Sequence, residues 1–234
     1  MATARSLLDW LGFRSDTAPF AETTVVVSPH LDDAVFSLGA SLCRAARQGM
    51  NITVLTVLAG DPDSSEPAGW WDAQAGFRTA GEANTARRQE DARACSILRV
   101  TPCWLPFVES QYGRSPEDEV AAGLDTELQR AGLILLPGSP LAHPDHKWVN
   151  GLVLERLRPK NRVMLYLEQP YALWQDRGTP AGWRPAAAAL PDRVRKLRAC
   201  RAYTSQLAIM GRKLPGQLTR FEAARGGEFV GEAH

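Results

Sequence analysis

Apolar runs with few charges alternate along this chain with segments in which apolar residues recur at helical spacing. Short runs rich in β-branched and aliphatic residues predict five buried strands, at residues 23–28, 51–58, 102–106, 133–136 and 162–167. One-sided apolar patterns bounded by Gly or Pro predict five helices, at residues 33–48, 81–98, 116–131, 147–157 and 192–207. This alternation predicts an α/β fold, with a mostly parallel sheet and helices on both faces.

Two of the segments between these elements are long. Residues 60–80 form a polar loop with two adjacent tryptophans, and residues 171–190 are rich in Trp, Pro, Gly and Ala. Long loops in a compact domain usually carry function. The 234 residues suit a single α/β domain. In it, residues 1–22 form an N-terminal arm and residues 208–234 form a C-terminal tail that is compatible with an edge strand.

Composition narrows the class of protein. The formal net charge of +1 gives no electrostatic footprint for nucleic acid. The four cysteines show no CxxC spacing, which predicts reduced thiols in a cytoplasmic protein. No apolar run reaches the length of a membrane-spanning helix. We therefore expect a cytoplasmic protein that acts on a small molecule.

The first chemical signal lies at the end of the first predicted strand. Pro29 breaks that strand, and His30, Asp32 and Asp33 follow at once. Two carboxylates at the end of a core strand are costly to bury unless something pairs with them, and a divalent cation is the simplest partner. His30 and Asp33 are three residues apart, so a tight turn or helix start can aim both at one point. Asp32 is then free to contact a water on the metal.

A second cluster, His143-Pro144-Asp145-His146, follows the fourth predicted strand. Sites in parallel α/β sheets lie at the carboxyl ends of the strands. Both clusters therefore fall where a site is expected, and they can form one site although they are far apart in sequence.

Together the two clusters predict a metal-dependent hydrolase for an amide, an ester or a similar carbonyl. His30, Asp33 and one of the histidines at 143 and 146 can hold a divalent ion with open positions, which lowers the pKa of its water toward ~7. Asp32 can take the proton of that water, and the remaining histidine can stabilise the oxyanion and protonate a leaving amine. Asp145 can orient an imidazole from behind.

Residues 28–33, with the sequence SPHLDD, and residues 142–146, with the sequence AHPDH, resemble the signature of the de-N-acetylase family named after PIG-L and LmbE. The likeness extends over residues 23–207. It implies a Rossmann-like fold and removal of the acetyl group from an N-acetylated amino sugar or its glycoconjugate. It also implies a mononuclear Zn²⁺ site, in which Fe²⁺, Co²⁺ or Mn²⁺ are alternative ions.

Carried over by position, the resemblance implies a role for each residue of the two clusters. The zinc ligands would be His30, Asp33 and His146. Asp32 would be the general base, and His143 would be the general acid or the oxyanion partner.

The resemblance further implies that Arg88, Asp91 and Glu109 contact the sugar. Arg87 and Glu90 form a pair of the same spacing one residue earlier. The choice of Arg88 therefore rests on the family spacing alone, and an ordinary surface ion pair is the simpler explanation for either pair.

The chain departs from the family pattern at three positions. Ala34 stands where a glutamate usually ends the first motif, Leu31 replaces a proline, and Leu141 stands where some thiol-cofactor members have a tyrosine. Neither Ala34 nor Leu31 removes a proposed ligand. Ala34 does remove a partner behind the ligands, which affects metal affinity.

Simpler or different functions also fit parts of the pattern. Asp-rich segments favour helix starts, and aromatic side chains more often pack than bind sugars. The aromatic candidates for either role are Trp70, Trp71, Tyr171, Trp174 and Trp183. Other functions that fit are hydrolysis of another N-acyl sugar conjugate, a two-His-one-carboxylate iron oxygenase and a non-catalytic sugar- or nucleotide-binding module. The last is disfavoured because no GxGxxG follows the first strand. The aglycone, the native metal and the oligomeric state leave no signal in the sequence.

Overall fold

The computed structural model describes residues 20–61, 64–157, 159–176 and 178–233. Within these residues seven strands form one sheet in the order β3-β2-β1-β4-β5-β7-β6. Strands β1 to β5 are parallel, and β7 runs antiparallel to both β5 and β6. In chain order the strands are Thr23–Ser28, Asn51–Thr56, Thr101–Trp104, Leu133–Ser139, Arg162–Leu167, Arg184–Ala186 and Glu228–Glu232. The mostly parallel sheet that the pattern predicts is confirmed.

Helices connect these strands and cover the sheet. In chain order, α1 to α9 are Asp33–Arg47, Trp70–Gln74, Ala80–Leu98, Glu117–Leu128, Pro144–Gly151, Tyr171–Trp174, Leu190–Cys200, Thr204–Met210 and Leu214–Arg225. A 3₁₀ turn, Ser110–Tyr112, precedes α4, and a π-helical turn, Leu152–Leu157, continues α5. None of the helices in the described residues combines the length and the apolarity that crossing a membrane would require.

The sheet separates two apolar layers. Successive side chains of a strand point to opposite faces, and in β1 Val26 packs in one layer while Val27 packs in the other. The first layer is built from α1, α3 and α7 to α9, and the second from α4, α5 and the π-helical turn. Helices on both faces explain why the central strands read as nearly uninterrupted apolar runs.

The C-terminal tail differs from expectation. β7 lies between β5 and β6 rather than at the edge of the sheet. Its buried Glu228 accepts hydrogen bonds from the backbone N–H groups of Ala40 (2.9 Å) and Ser41 (2.8 Å) in α1. The tail is therefore built into the core. Of the predicted N-terminal arm, residues 1–19 lie outside the described residues, and Phe20 is buried against the first layer.

The helix predicted at residues 192–207 is two helices, α7 and α8. The buried carboxylate of Glu90 accepts hydrogen bonds from Thr204 Oγ1 (2.6 Å) and Ser205 N (2.9 Å) at the start of α8. A carboxylate at a helix N-terminus satisfies free N–H groups there, so this long-range contact stabilises a helix start that sequence periodicity does not show. The two long loops each contain a short helix, α2 and α6, and the second also contributes β6.

The order of strands determines where a site can form. The chain runs from β1 to β2 and β3 on one side, and then crosses to β4 and β5 on the other. The loops after β1 and β4 therefore diverge at the middle of the sheet and leave a crevice at the carboxyl ends of these strands.

A buried ion pair connects the C-terminal tail to α7. Lys196 of α7 is 4% exposed, donates to Glu228 Oε1 at 2.7 Å and also contacts Glu222. We expect Lys196→Met to lower the free energy of unfolding by about 3–5 kcal/mol, because it leaves buried carboxylates unpaired. Urea denaturation checks this value. The control is Arg78→Met in the exposed Arg78–Glu82 pair, which should change stability little. Equal losses in the two variants would contradict the prediction.

Candidate metal centre

The turn between β1 and α1 is held by its own side chains. Ser28 Oγ donates to the carbonyl of His30 (2.7 Å) and accepts from Ala34 N (3.0 Å). The backbone N–H of His30 donates to Asp33 Oδ2 at 2.8 Å. These bonds close a tight turn, and they place the His30 and Asp33 side chains on the same side of it, as their spacing predicts.

Asp32 occupies the N-cap position of α1 without making a capping hydrogen bond. Its backbone φ of 139° lies in a region that residues other than glycine rarely adopt. The side chain lines a cavity instead. Backbone strain of this kind is concentrated at functional sites, and the helix-cap explanation for this aspartate does not apply.

The second cluster forms the start of α5. His143 is the N-cap residue, and its Nδ1 accepts from Asp145 N at 3.2 Å. Pro144 suits the first helical position, which has no intrahelical partner for an N–H. His146 lies in the first turn and is 1% exposed. The rings of His30, His143 and His146 come together with centroids 4.9–5.2 Å apart.

Three donor atoms converge on one point. His146 Nε2 lies 3.2 Å from His30 Nδ1 and 3.1 Å from Asp33 Oδ2, and His30 Nδ1 lies 3.4 Å from Asp33 Oδ2. A tetrahedral ion with bonds of about 2.0–2.1 Å has its ligand atoms roughly 3.3 Å apart. These residues therefore fit a single small divalent cation. His143 also offers a nitrogen within 4.8 Å of donor atoms of the other two histidines, but it lies outside the tight triangle.

Carboxylates behind the two histidines fix their orientation. His30 Nε2 lies 3.2 Å from Asp145 Oδ2, and His146 Nδ1 contacts Glu168 Oε2. A proton on each of these nitrogens leaves His30 Nδ1 and His146 Nε2 free to bind a metal. Asp145 thus contacts His30, and its role in orienting this imidazole stays a prediction. Glu168 was not identified as a site residue from the sequence, although it immediately follows β5 at the same edge of the sheet.

The centre favours positive charge. Burial alone would lower the pKa of His30, but hydrogen bonds to carboxylates raise it to about 10. Burial likewise opposes protonation of His146, yet Asp33 and Glu168 raise its pKa to about 9. Burial opposes ionisation of Asp33 too, but the two imidazoles hold the pKa of this carboxyl far below its usual range. A bound divalent cation would occupy the same electrostatic minimum.

The pKa values of Asp32 and His143 shift in the directions opposite to those of Asp33 and the other two histidines. Burial, reinforced by the charge of Asp33, raises the pKa of Asp32 well above its usual range. Burial, reinforced by the neighbouring imidazoles, lowers the pKa of His143 to about 4. Both side chains line the same cavity of about 230 Å³.

The wall of this cavity contains Arg87 and Glu109. Arg87 Nη1 donates to Glu109 Oε1 (2.6 Å) and Asp72 Oδ1 (3.2 Å), and all three side chains are largely buried. Gln111 Nε2 bridges Glu109 (2.9 Å) and Asp72 (3.1 Å). The carboxylates hold the guanidinium in place at the cavity.

Arg88 and Asp91 lie elsewhere. Arg88 Nε donates to the carbonyl of Ala59 at 2.8 Å, and its guanidinium lies over the ring of Trp104. Asp91 is 1% exposed and accepts from Trp104 Nε1 (2.8 Å) and Tyr203 OH (2.7 Å). Neither residue lines the cavity. The two arginines have the same spacing from an acidic residue, so the sequence could not separate them.

The five aromatic candidates fall into two groups, those that line the cavity and one that packs elsewhere. Four of them line the cavity: Trp70, Trp71, Tyr171 and Trp174. Trp183 instead covers Gly138 and Gly231, where a β-carbon would collide with its ring. It is a packing residue.

The fold is a Rossmann-like α/β sheet that brings two histidines and a carboxylate together at its switch point, with a spacing that fits a single cation. A family model described as PIG-L, GlcNAc-PI de-N-acetylase, matches residues 25–157, which is more than half of the chain. The chain belongs to this family. No curated protein matches it.

Solved structures that are similar to this chain include several deacetylases. The A40926 pseudoaglycone deacetylase Dbv21 is 26% identical, with a TM-score of 0.74 over 89% of this chain and 95% of its own. The zinc-inhibited form of teicoplanin deacetylase Orf2 is 26% identical, with a TM-score of 0.72 over 90% of this chain and 98% of its own. N,N'-diacetylchitobiose deacetylase from Pyrococcus horikoshii is 18% identical, with a TM-score of 0.63 over 90% of this chain and 84% of its own, and shares the fold. The expected family and its enzyme class, a de-N-acetylase, are confirmed.

The triangle of donor atoms leads to a prediction for metal binding. We expect Asp33→Asn to weaken Zn²⁺ binding by more than about 100-fold, because loss of a direct ligand should exceed the 10–100-fold effect of losing a partner behind one. Competition titration and the metal content of the purified protein measure this effect. Asp91→Asn, which changes a buried carboxylate away from the cavity, should bind Zn²⁺ as the unaltered chain does. Similar affinities for the two variants would exclude the proposed ligand set.

Proposed function

We propose that this chain is a metal-dependent hydrolase that removes the acetyl group from an N-acetylated amino sugar or its glycoconjugate. The observation that carries the proposal is the convergence of His30 Nδ1, Asp33 Oδ2 and His146 Nε2 to within 3.1–3.4 Å of one another, at a cavity that Asp32 and His143 also line. Membership of a de-N-acetylase family supports the choice of reaction.

His30, Asp33 and His146 would hold the metal ion. When bound, a divalent cation there supplies Lewis acidity to a water molecule and to the amide carbonyl. Zinc is the ion we propose, since two imidazoles and a carboxylate suit it, and Fe²⁺, Co²⁺ and Mn²⁺ also accept this donor set. The similar teicoplanin deacetylase in its zinc-inhibited form makes it necessary to test all four.

Asp32 takes the proton of the attacking water. Its carboxylate is buried beside Asp33, lines the cavity and is not used as a helix cap. A cation held by the neighbouring ligands would favour its ionised form, in which it can act as a base. His143 lines the same cavity, and its Nε2–H donates a hydrogen bond to the developing oxyanion, while the proton that Asp32 has taken from the water passes to the leaving amine. Because Nδ1 of His143 accepts from Asp145 N, the nitrogen available to the substrate is Nε2.

Arg87 and Glu109 contact the sugar hydroxyl groups. Both line the cavity, whereas Arg88 and Asp91 do not. In our proposal Arg87 therefore takes the role that the family spacing suggests for Arg88, and Asp91 serves the packing of Trp104 and Tyr203.

We also propose a cytoplasmic location. All four cysteines are free, and three of them are buried, which is typical of a protein kept under reducing conditions.

The experiment that tests the function uses N-acetylglucosamine-containing substrates. Release of acetate is measured for the purified protein, after metal removal by a chelator, and after addition of each of the four metal ions. We expect loss of activity on chelation and its return with at least one ion. Full activity in metal-free protein would exclude the mechanism, and oxygen consumption with iron would point to an oxygenase instead.

A second prediction concerns the base. We expect Asp32→Asn to retain the metal and to lower kcat by about 10²–10⁴-fold, because only a proton acceptor is removed. Metal content and steady-state kinetics measure both quantities. A variant with unchanged kcat would show that another group accepts the proton.

A further inference from the structure

The outer edge of the cavity carries four aromatic side chains in two pairs. Trp70 and Trp71 come from α2, and Tyr171 and Trp174 form α6 together with the two residues between them. Each pair packs edge to face, with ring centroids 5.6 Å apart in the first and 5.8 Å apart in the second. We call these four residues the aromatic rim. All four line the cavity that holds the metal centre.

In each pair one ring is held and the other is free to meet a ligand. Trp71 Nε1 donates to Gln206 Oε1 (2.8 Å), and Trp71 N donates to Gln111 Oε1 (3.1 Å). The ring of Tyr171 packs edge to face on His146, with centroids 5.3 Å apart. The other ring of each pair is exposed, by 65% for Trp70 and 51% for Trp174.

Both exposed tryptophan rings lie at the cavity. Within the described part of the chain, the large apolar side chains that stand exposed are Trp70, Trp174, Leu190 and Val194. Both tryptophans lie on the cavity, whereas Leu190 and Val194 do not. An exposed indole offers a large apolar face for stacking, and contiguous exposed apolar surface marks binding sites.

The charges of the cavity restrict what can bind beside these rings. Among the described residues that line it, Arg87 is the one lysine or arginine. Its charge is already balanced by Glu109 and Asp72, which both accept from its Nη1. A phosphate group on the substrate would therefore meet the carboxylates of the cavity wall and no lysine or arginine whose charge is not already balanced, and burying an unpaired anion is costly.

We propose that the substrate carries, beyond its acetylated amino sugar, an uncharged aromatic aglycone that stacks on Trp70 and Trp174, and that a phosphate-linked aglycone is disfavoured. The proposal rests on the function proposed above, and it identifies the class of conjugate on which the site acts.

The test compares glycosides of one sugar. The probes are methyl, 4-nitrophenyl and 1-phosphate derivatives of N-acetylglucosamine, with both anomers of each, and acetate release gives kcat/KM. We expect the 4-nitrophenyl glycoside to exceed the methyl glycoside by at least about fivefold, and the phosphate to fall below the methyl glycoside. A phosphate that is turned over best, or equal rates for the aryl and methyl glycosides, would overturn the proposal.

Substitutions of the two exposed tryptophans test whether they cause the preference for the aryl glycoside. Trp70→Ala and Trp174→Ala should each lower the aryl-to-methyl ratio of kcat/KM by several-fold, since each removes one stacking face. Leu190→Ala, which removes an exposed apolar side chain away from the cavity, should leave the ratio unchanged. Calorimetric titration of the metal-loaded Asp32→Asn protein with the aryl and methyl glycosides gives the same comparison without turnover.

The outcomes separate the two proposals. If acetate is released from the methyl glycoside but the ratio does not depend on either tryptophan, the aromatic rim has another role and the proposed function stands. If no probe is hydrolysed or bound, the proposed function fails. If Trp70→Ala converts an oligomer to a monomer in sedimentation without changing the ratio, the exposed rings belong to an interface between copies of this chain, and the aglycone proposal is wrong.

Discussion

The structure around the site depends on the balance of charge between two imidazoles and the carboxylates that surround them. Asp33 lies between His30 and His146 in front, while Asp145 and Glu168 contact their outer nitrogens from behind. Each of these carboxylates follows a different strand, so the fold must bring three chain segments together before the charges compensate one another. Burial of so many acids without a cation at the centre would be costly.

The switch in strand order makes this convergence possible. β1 and β4 are neighbours in the sheet although about a hundred residues separate them in the chain, and β5 lies next to β4. Glu168 connects the last two of these strand ends, because its Oε1 accepts from Leu141 N at 2.7 Å while its other oxygen contacts His146. The same carboxylate therefore supports both the loop and the histidine that the loop carries.

Local pattern was enough to predict the five parallel strands, the helices that connect them and both His–Asp clusters, because each is encoded within a few residues. What it missed depends on distant partners. The start of α8 is stabilised by Glu90, and β7 is drawn into the sheet by Glu228, whose partners lie in α1 and α7. Glu168 has no motif of its own, and Arg87 differs from Arg88 only in the direction its side chain takes from α3.

The segment from Glu109 to Arg114 contributes both to the cavity wall and to the hydrogen bonds of Asp145. Glu109 and Gln111 form part of the cavity wall, while Ser110 Oγ (3.0 Å) and the Arg114 guanidinium donate to Asp145, which supports His30. The cavity wall and the support of Asp145, which contacts His30, thus belong to one short stretch of backbone. A substitution in this stretch that reshapes the cavity wall must therefore preserve the hydrogen bonds to Asp145 at the same time.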